Sequence, residues 1–328
     1  MKRRFLLTDL VARVTVLAGI TALCAGLASA QSFPTRPVRI VVPFPPAGAV
    51  DILARVVGQK LGEKWKQSVV IENRPGGGTV LGSDVVSKAP ADGYTILLAV
   101  TSLAINATLV EKMPFDAVKD FAPLTLAAIA PNILIVSPTV PANSVNDLIA
   151  YAKAHPGKLN YGSPGNGSAM HLSGEIFKSA AGINVVHIPY KGTQPVLNAL
   201  LAGEISYTFD AGVSMQHVKA GKLKAFAVTS PRRAAIAPEL PTMAEAGLAG
   251  FEAQSWYGFL VPAGTPAPIV DQLSREINET LRDAEVRERI NRVALEPLGT
   301  TPAEFAKYLQ ADIVKWGRVV KASGAKAD

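Results

Sequence analysis

The run Val38-Arg39-Ile40-Val41-Val42-Pro43-Phe44-Pro45-Pro46-Ala47-Gly48-Ala49-Val50-Asp51 constrains this chain more than any other stretch. An apolar strand, Val38 to Val42, meets a proline-rich turn that opens a helix. Apolar Val50, Leu53, Ala54, Val57 and Leu61 recur at helical spacing, so the helix has one face to bury. The first N–H groups of a helix have no partner within it, and they point outward from the positive end of its dipole. Such a start can hold a carboxylate without an arginine.

The arrangement recurs. Leu159-Asn160-Tyr161 reads as a short strand, and Gly162-Ser163-Pro164-Gly165-Asn166-Gly167-Ser168 as a turn of small residues. A helix with Ala169, Leu172, Ile176, Phe177 and Ala180 on one face follows. Glycine lets backbone approach a ligand closely, and Ser163 and Ser168 add hydroxyls. A third unit, His187-Ile188-Pro189-Tyr190-Lys191-Gly192-Thr193, precedes a helix from Gln194 to Ala202, and Tyr190 and Lys191 are candidates to reach a carboxylate. Asp210 ends a strand, where ligands of open α/β sheets sit, and it could accept from a hydroxyl or ammonium. Thr101-Ser102, after the strand Thr95–Val100, makes Ser102 a further cleft candidate.

Strands and helices alternate almost throughout, which predicts α/β layers with mainly parallel sheets. Other strands are expected at Val69–Ile71, Ile133–Ser137, Val185–Ile188, Ser206–Phe209 and Leu223–Thr229. Ser144 with Asp147 resembles a capping box. Thr301, Pro302 and Glu304 read as N-cap, N1 and N3 of a last helix, and Asp283 as the cap of the helix carrying Val286 and Ile290. Crossings between two domains are expected on strands near Leu124–Asn132 and Glu252–Val261. The mostly helical last part should pack back onto the first domain.

Hydrophobic residues make up 48% of the 328 and charged residues 18%, the balance of a packed globular chain. Residues 1–30 read as an export leader: basic Lys2-Arg3-Arg4, an apolar run from Val14 to Leu27, then Ala28-Ser29-Ala30 for cleavage before Gln31. Both the general secretory and the twin-arginine route fit. The leader holds four basic residues and one acid, so its loss takes three charges from the formal +7 and leaves +4, too little and too scattered for nucleic acid. Cys24, the one cysteine, leaves with the leader, which excludes disulfides and thiolate chemistry from the exported protein.

Enzymatic signatures are poor. No serine has glycines at both −2 and +2, and no H-E-x-x-H is present. His171 and Glu175 share a helix face at i, i+4, but a helix-orienting hydrogen bond explains His171 better than half a metal site. Gly76-Gly77-Gly78 lacks dinucleotide and Walker spacing and reads as a loop.

The sequence resembles the Bug, or TctC-type, extracytoplasmic solute-binding proteins of tripartite tricarboxylate transporters. The resemblance runs through Pro37–Phe44, Val70-Ile71-Glu72-Asn73-Arg74-Pro75-Gly76, Ala91-Asp92-Gly93-Tyr94-Thr95, Pro156–Tyr161 and Gly165-Asn166-Gly167-Ser168. It continues through His171-Leu172, Pro189-Tyr190-Lys191-Gly192, Pro241–Gly247 and Trp256-Tyr257-Gly258. It implies an α/β, two-domain periplasmic binding protein of the Venus-flytrap type II fold with two crossover strands. Domain 1 would take residues 31–128 and 258–328, and domain 2 residues 129–257.

The implied function is non-catalytic capture of a small carboxylated solute, without cofactor or metal: a di- or tricarboxylate, an acidic amino acid or an aromatic acid. Carried over, the first-domain contacts fall on Phe44, Pro46, Ala47, Gly48 and Asp51. Those of the second domain fall on Gly167, Ser168 and His171, with Tyr190, Lys191 and Asp210 beside them, while Ser163 is a candidate from its turn alone. A monomer serving a membrane permease is expected, and a sensor subunit or a secreted carboxylate-acting enzyme are the rivals. Two departures stand out. Alanine at position 47 replaces a glycine and resists positive φ, so either the turn differs or the position does not need it. Gly78-Thr79-Val80-Leu81-Gly82 lacks the asparagine usual in that loop.

Overall fold

A computed structural model of the protein describes residues 33–327; the expected leader, its expected cleavage site and Cys24 lie outside the described residues. Eleven strands form two sheets among the described residues. The first sheet has the order β11-β4-β10-β3-β1-β2, with β1 Val38–Val42, β2 Val69–Asn73, β3 Thr95–Val100, β4 Phe121–Pro131, β10 Gln254–Pro262 and β11 Glu296–Pro297. The second has the order β7-β6-β8-β5-β9, with β5 Ile133–Val136, β6 Asn160–Ser163, β7 Val186–Pro189, β8 Tyr207–Asp210 and β9 Lys224–Val228.

The sheets are mixed, which corrects the expectation of mainly parallel ones. β1 runs parallel to β2 and β3, and β6 to β7 and β8. The other pairings, β10 with β3 and β4, β11 with β4, and β5 with β8 and β9, are antiparallel. Crossing the gap twice explains this. β4 runs straight on through Asn132 into β5, and the chain returns from β9 to β10, so outgoing and returning strands lie side by side and opposed. The two passages are tied together. Asn132 accepts from the Thr229 main-chain N–H at 2.8 Å, and its side-chain amide donates to the Ala253 carbonyl at 2.9 Å. The expected domain limits at 128 and 258 fall inside β4 and β10.

Helices cover both faces of the first sheet: α1 Ala49–Trp65, α2 Val80–Ser87 and α3 Ser102–Leu109, then, after the crossings, α8 Ala267–Arg282, α9 Ala284–Asn291 and α10 Pro302–Ser323. Alternation along the strands divides the core. Val38, Ile40 and Val42 of β1 and Ile96, Leu98 and Val100 of β3 pack with α1, α8 and α9. Val41, Leu97 and Ala99 face the other way, toward α2, α3 and α10. All five apolar positions read for α1 are buried, the valines and leucines contributing about 1.5–3 kcal/mol each. The second sheet carries α4 Val145–Ala154, α5 Ala169–Ala181, α6 Thr193–Ala202 and α7 Met215–Lys219.

On α5 the buried face includes Ala169, Leu172, Phe177 and Ala181, whereas Ala180 is exposed, a correction of one position at the helix end. Thr301 and Glu304 form the expected reciprocal box, and Asp283 accepts from Val286 N–H. Ser144 caps α4, but the Asp147 carboxylate reaches back to Asn143 N–H rather than to Ser144, so that box is displaced by one residue.

Candidate functional site

Five helix starts meet between the two sheets. Each follows a strand or loop that ends at the gap; at α2 the Val80 N–H already donates to the Gly77 carbonyl and the Leu81 N–H to that of Gly76, so the first N–H groups of the other four starts are the ones left for an anion. α1 begins after Gly48, α2 after Thr79, α3 after Thr101 and α6 after Gly192, and none of these four starts has a side-chain cap. The fifth, α5, is capped by Ser168, whose Oγ accepts from His171 N–H at 3.1 Å. Three starts come from the first sheet's side and two from the second's.

The cleft they enclose holds about 480 Å³. Phe44, Val50, Val100, Met170 and Tyr257 give it apolar walls, and Thr101, Ser102, Asn106, Ser168, Thr193 and Ser255 give it polar groups. Among the described residues, none of those lining it is Asp, Glu, Lys, Arg or His. An anion here meets only neutral donors and the positive ends of helices. Burial pushes the Tyr257 hydroxyl up to about 12, so it stays protonated and able to donate.

Each turn is held by its own devices. Ala47 does adopt the left-handed conformation, with φ 70, so position 47 takes positive φ despite being alanine. Its N–H donates to Asp51 Oδ2 at 3.0 Å, and Arg55 Nε donates to the same oxygen at 2.8 Å. Asn73 Nδ2 donates to Asp51 Oδ1 at 2.9 Å and to the Phe44 carbonyl at 3.0 Å. Burial works against the charge on Asp51, but Arg55, Ala47 N–H and Asn73 outweigh it and hold the carboxyl below its ordinary value. At α2, Gly76, Gly77, Gly78 and Thr79 all have positive φ, and Asn106 Nδ2 secures the loop by donating to the Gly78 carbonyl at 2.8 Å.

Of the residues singled out in the sequence, Phe44, Ser102, Gly167 and Ser168 line the cleft. Pro46, Ala47 and Gly48 form the exposed outer side of the first turn. Asp51 is 2% exposed and spends its oxygens on that turn, so it braces the site instead of entering it. Ser163 and His171 are buried beneath the second turn. Tyr190 packs against the core of the second sheet, and Lys191 is exposed outside the lining. Asp210 turns back into its own loop, accepting from Ser214 Oγ at 2.6 Å, and burial pushes its carboxyl up.

Thr79, Asn106, Met170, Thr193, Ser255 and Tyr257 line the cleft and were not singled out. Thr193 follows the same rule as Ser168 and was within reach of it. Ser255 and Tyr257 come from β10, whose return to the gap only the assembled sheets display. A larger groove of about 570 Å³ lies between α5 and α10, beside Glu175, Lys178 and Arg318. Among the described residues no helix start opens onto it, so the helix-start anion chemistry of the cleft is missing there.

The profile of the TctC family, described as the tripartite tricarboxylate transporter family receptor, matches residues 53–325. A protein encoded in the tcbD-tcbE intergenic region of Pseudomonas sp. strain P51 is 37% identical over 316 residues, 94% of each chain. Rpa4515 of R. palustris, solved with adipate, superposes with a TM-score of 0.81 at 36% identity, over 90% of this chain and 99% of that one. The periplasmic binding protein BugD superposes with a TM-score of 0.77 at 33% identity, over 90% and 99%. These are solute-binding proteins and not enzymes. The chain belongs to the TctC family of periplasmic solute-binding receptors.

Proposed function

We propose that the protein captures a small dicarboxylate in the cleft between its sheets and presents it, closed, to the membrane component of a tripartite transporter. One observation carries this reading: five helix starts, four without side-chain caps, surround a cleft in whose lining, among the described residues, no side chain is charged. A carboxylate at each end of a short chain would engage starts from both sheets at once, and contacts made only when the halves approach favour the closed form. The apolar walls suit a hydrocarbon spacer, as in the adipate held by a structural relative. They do not suit an α-ammonium group, which would be desolvated with no carboxylate facing it, because Asp210 is engaged in its own loop. That argues against acidic amino acids. Export by the leader at residues 1–30 belongs to the same proposal.

Calorimetric titration tests it. Adipate should bind at one site per chain, whereas adipamide, its uncharged counterpart, and aspartate should bind at least about a hundredfold more weakly. Equal affinity for adipate and adipamide, or a preference for aspartate, would remove the reading.

A further inference from the structure

Behind the second cleft-lining turn, two histidine rings lie face to face. His171, on α5, and His187, on β7, have ring centroids 3.9 Å apart at 13°. Neither lines the cleft, and His171 is only 5% exposed. The Gly167 N–H donates to His171 Nδ1 at 3.1 Å, so that nitrogen carries no proton. The main-chain N–H of His171 donates in turn to Ser168 Oγ at 3.1 Å. One residue thus ties down the turn twice, once through its ring and once through its backbone. Little slack remains at Gly167. It sits at φ 72, and a Cβ there would lie 2.2 Å from Cδ2 of Leu109, on α3 across the cleft.

We propose that His171 is a positioning residue of the anion site: its proton-free Nδ1 holds the Gly167 amide and, through it, the Gly165–Ser168 turn at the cleft. A ring that gains a proton at Nδ1 faces the amide donor with a second donor, and the bond is lost. The consequence for affinity rests on the dicarboxylate reading; the tie between ring and turn does not.

The surroundings keep His187 neutral. Burial, then His171, then Lys178 push His187 down to about 3. His187 Nε2 lies 2.7 Å from Ser163 Oγ, which also donates to the Gly165 carbonyl at 3.0 Å, so the second histidine braces the far end of the same turn. From β6, the Tyr161 ring lies 4.8 Å from His187 and 6.5 Å from His171. Its hydroxyl donates to Glu175 at 2.7 Å, and Glu175 pairs with Lys178 at 3.0 Å. Tyr207, from β8, stacks on Tyr161 at 5.5 Å.

The test compares His171→Asn, which keeps an acceptor near the Nδ1 position but cannot titrate, with His171→Phe, which keeps a flat ring and has no acceptor. Amide hydrogen exchange at Gly167 is read on the ligand-free protein, the histidine ring nitrogens are followed by NMR, and adipate affinity is measured by calorimetry from about pH 8 to about pH 5. Gly167 should stay protected in His171→Asn and exchange about tenfold faster in His171→Phe, with about tenfold weaker adipate binding in the latter at neutral pH. Wild type should take on the behaviour of the Phe variant once its His171 ring is charged, while His171→Asn does not change.

Equal Gly167 exchange in wild type and the Phe variant would overturn the proposal. So would a Gly167 amide that stays protected beside a charged His171, or binding that tightens on the acid side in wild type alone. If wild type fails to bind adipate, the dicarboxylate reading fails, and Gly167 exchange in the ligand-free protein still decides the role of His171.

Discussion

At the scale of single residues, the site is built from backbone conformations that its side chains resist. Ala47 at φ 70 and Thr79 at φ 86 both sit where glycine is at ease. A left-handed alanine costs about 1–2 kcal/mol, part of which glycine gives back as lost freedom on folding. Ala47→Gly should therefore raise stability by about 0.5–1 kcal/mol in urea unfolding; an unchanged or lower midpoint would show that Asp51 had already removed the strain. Little of this was readable in advance. Alanine in the turn pointed to a local departure, but only the Asp51 carboxylate, accepting from the Ala47 N–H, explains why the conformation survives. Asp51 itself was legible as important, but not that its carboxylate is engaged by its own turn, Arg55 and Asn73. A carboxylate at the third position of a helix gives the same sequence signal whether it faces a ligand or reaches back to its own turn.

Among elements, what matters is which helices start where. The starts of α1, α5 and α6 were legible because turn residues stand directly before helical periodicity, and each lies within a residue of its expected place. The α2 start was not, since Gly76-Gly77-Gly78 reads as plain loop until Asn106 on α3 is seen to hold it. The first helix start depends on Asp51, whose folded carboxyl lies below its ordinary value of 3.8. The stabilisation it gives is complete above that value and is lost as pH falls through the lower folded value. Asp51→Ala should cost about 2–3 kcal/mol at neutral pH, because the Ala47 amide, Arg55 and Asn73 lose their acceptor. The gap from wild type should close on acidification below about pH 4. Urea unfolding against pH checks both; a gap that stays constant into acid would assign the loss to packing instead of charge.

In the molecule as a whole, two sheets joined by two strand passages put the cleft at the joint. α/β layering and the helical return of the last part were legible in the alternation of patterns. The mixed sheet order was not, because antiparallel pairing of β4 and β10 follows from where the chain crosses and leaves no periodic trace. The returning strand is anchored deep in the first half: Trp256 Nε1 and Trp316 Nε1 both donate to Asp312 Oδ2, at 2.7 and 2.8 Å, while Lys315 pairs with Oδ1 at 2.7 Å. Trp256 stands between cleft residues Ser255 and Tyr257. Asp312→Ala should leave two buried indole N–H groups without an acceptor and cost about 2–4 kcal/mol, with a shift in tryptophan emission; a variant as stable as wild type would show that the strand needs no such anchor. The central claim, that neutral helix starts from both sheets hold the solute, is tested most directly by a crystal structure of the protein grown with adipate. The account predicts one adipate across the cleft, its carboxylate oxygens within hydrogen-bond distance of main-chain N–H groups at helix starts from both sheets, and no arginine or lysine touching it. Adipate paired with a basic side chain, or seated in the groove between α5 and α10, would contradict it.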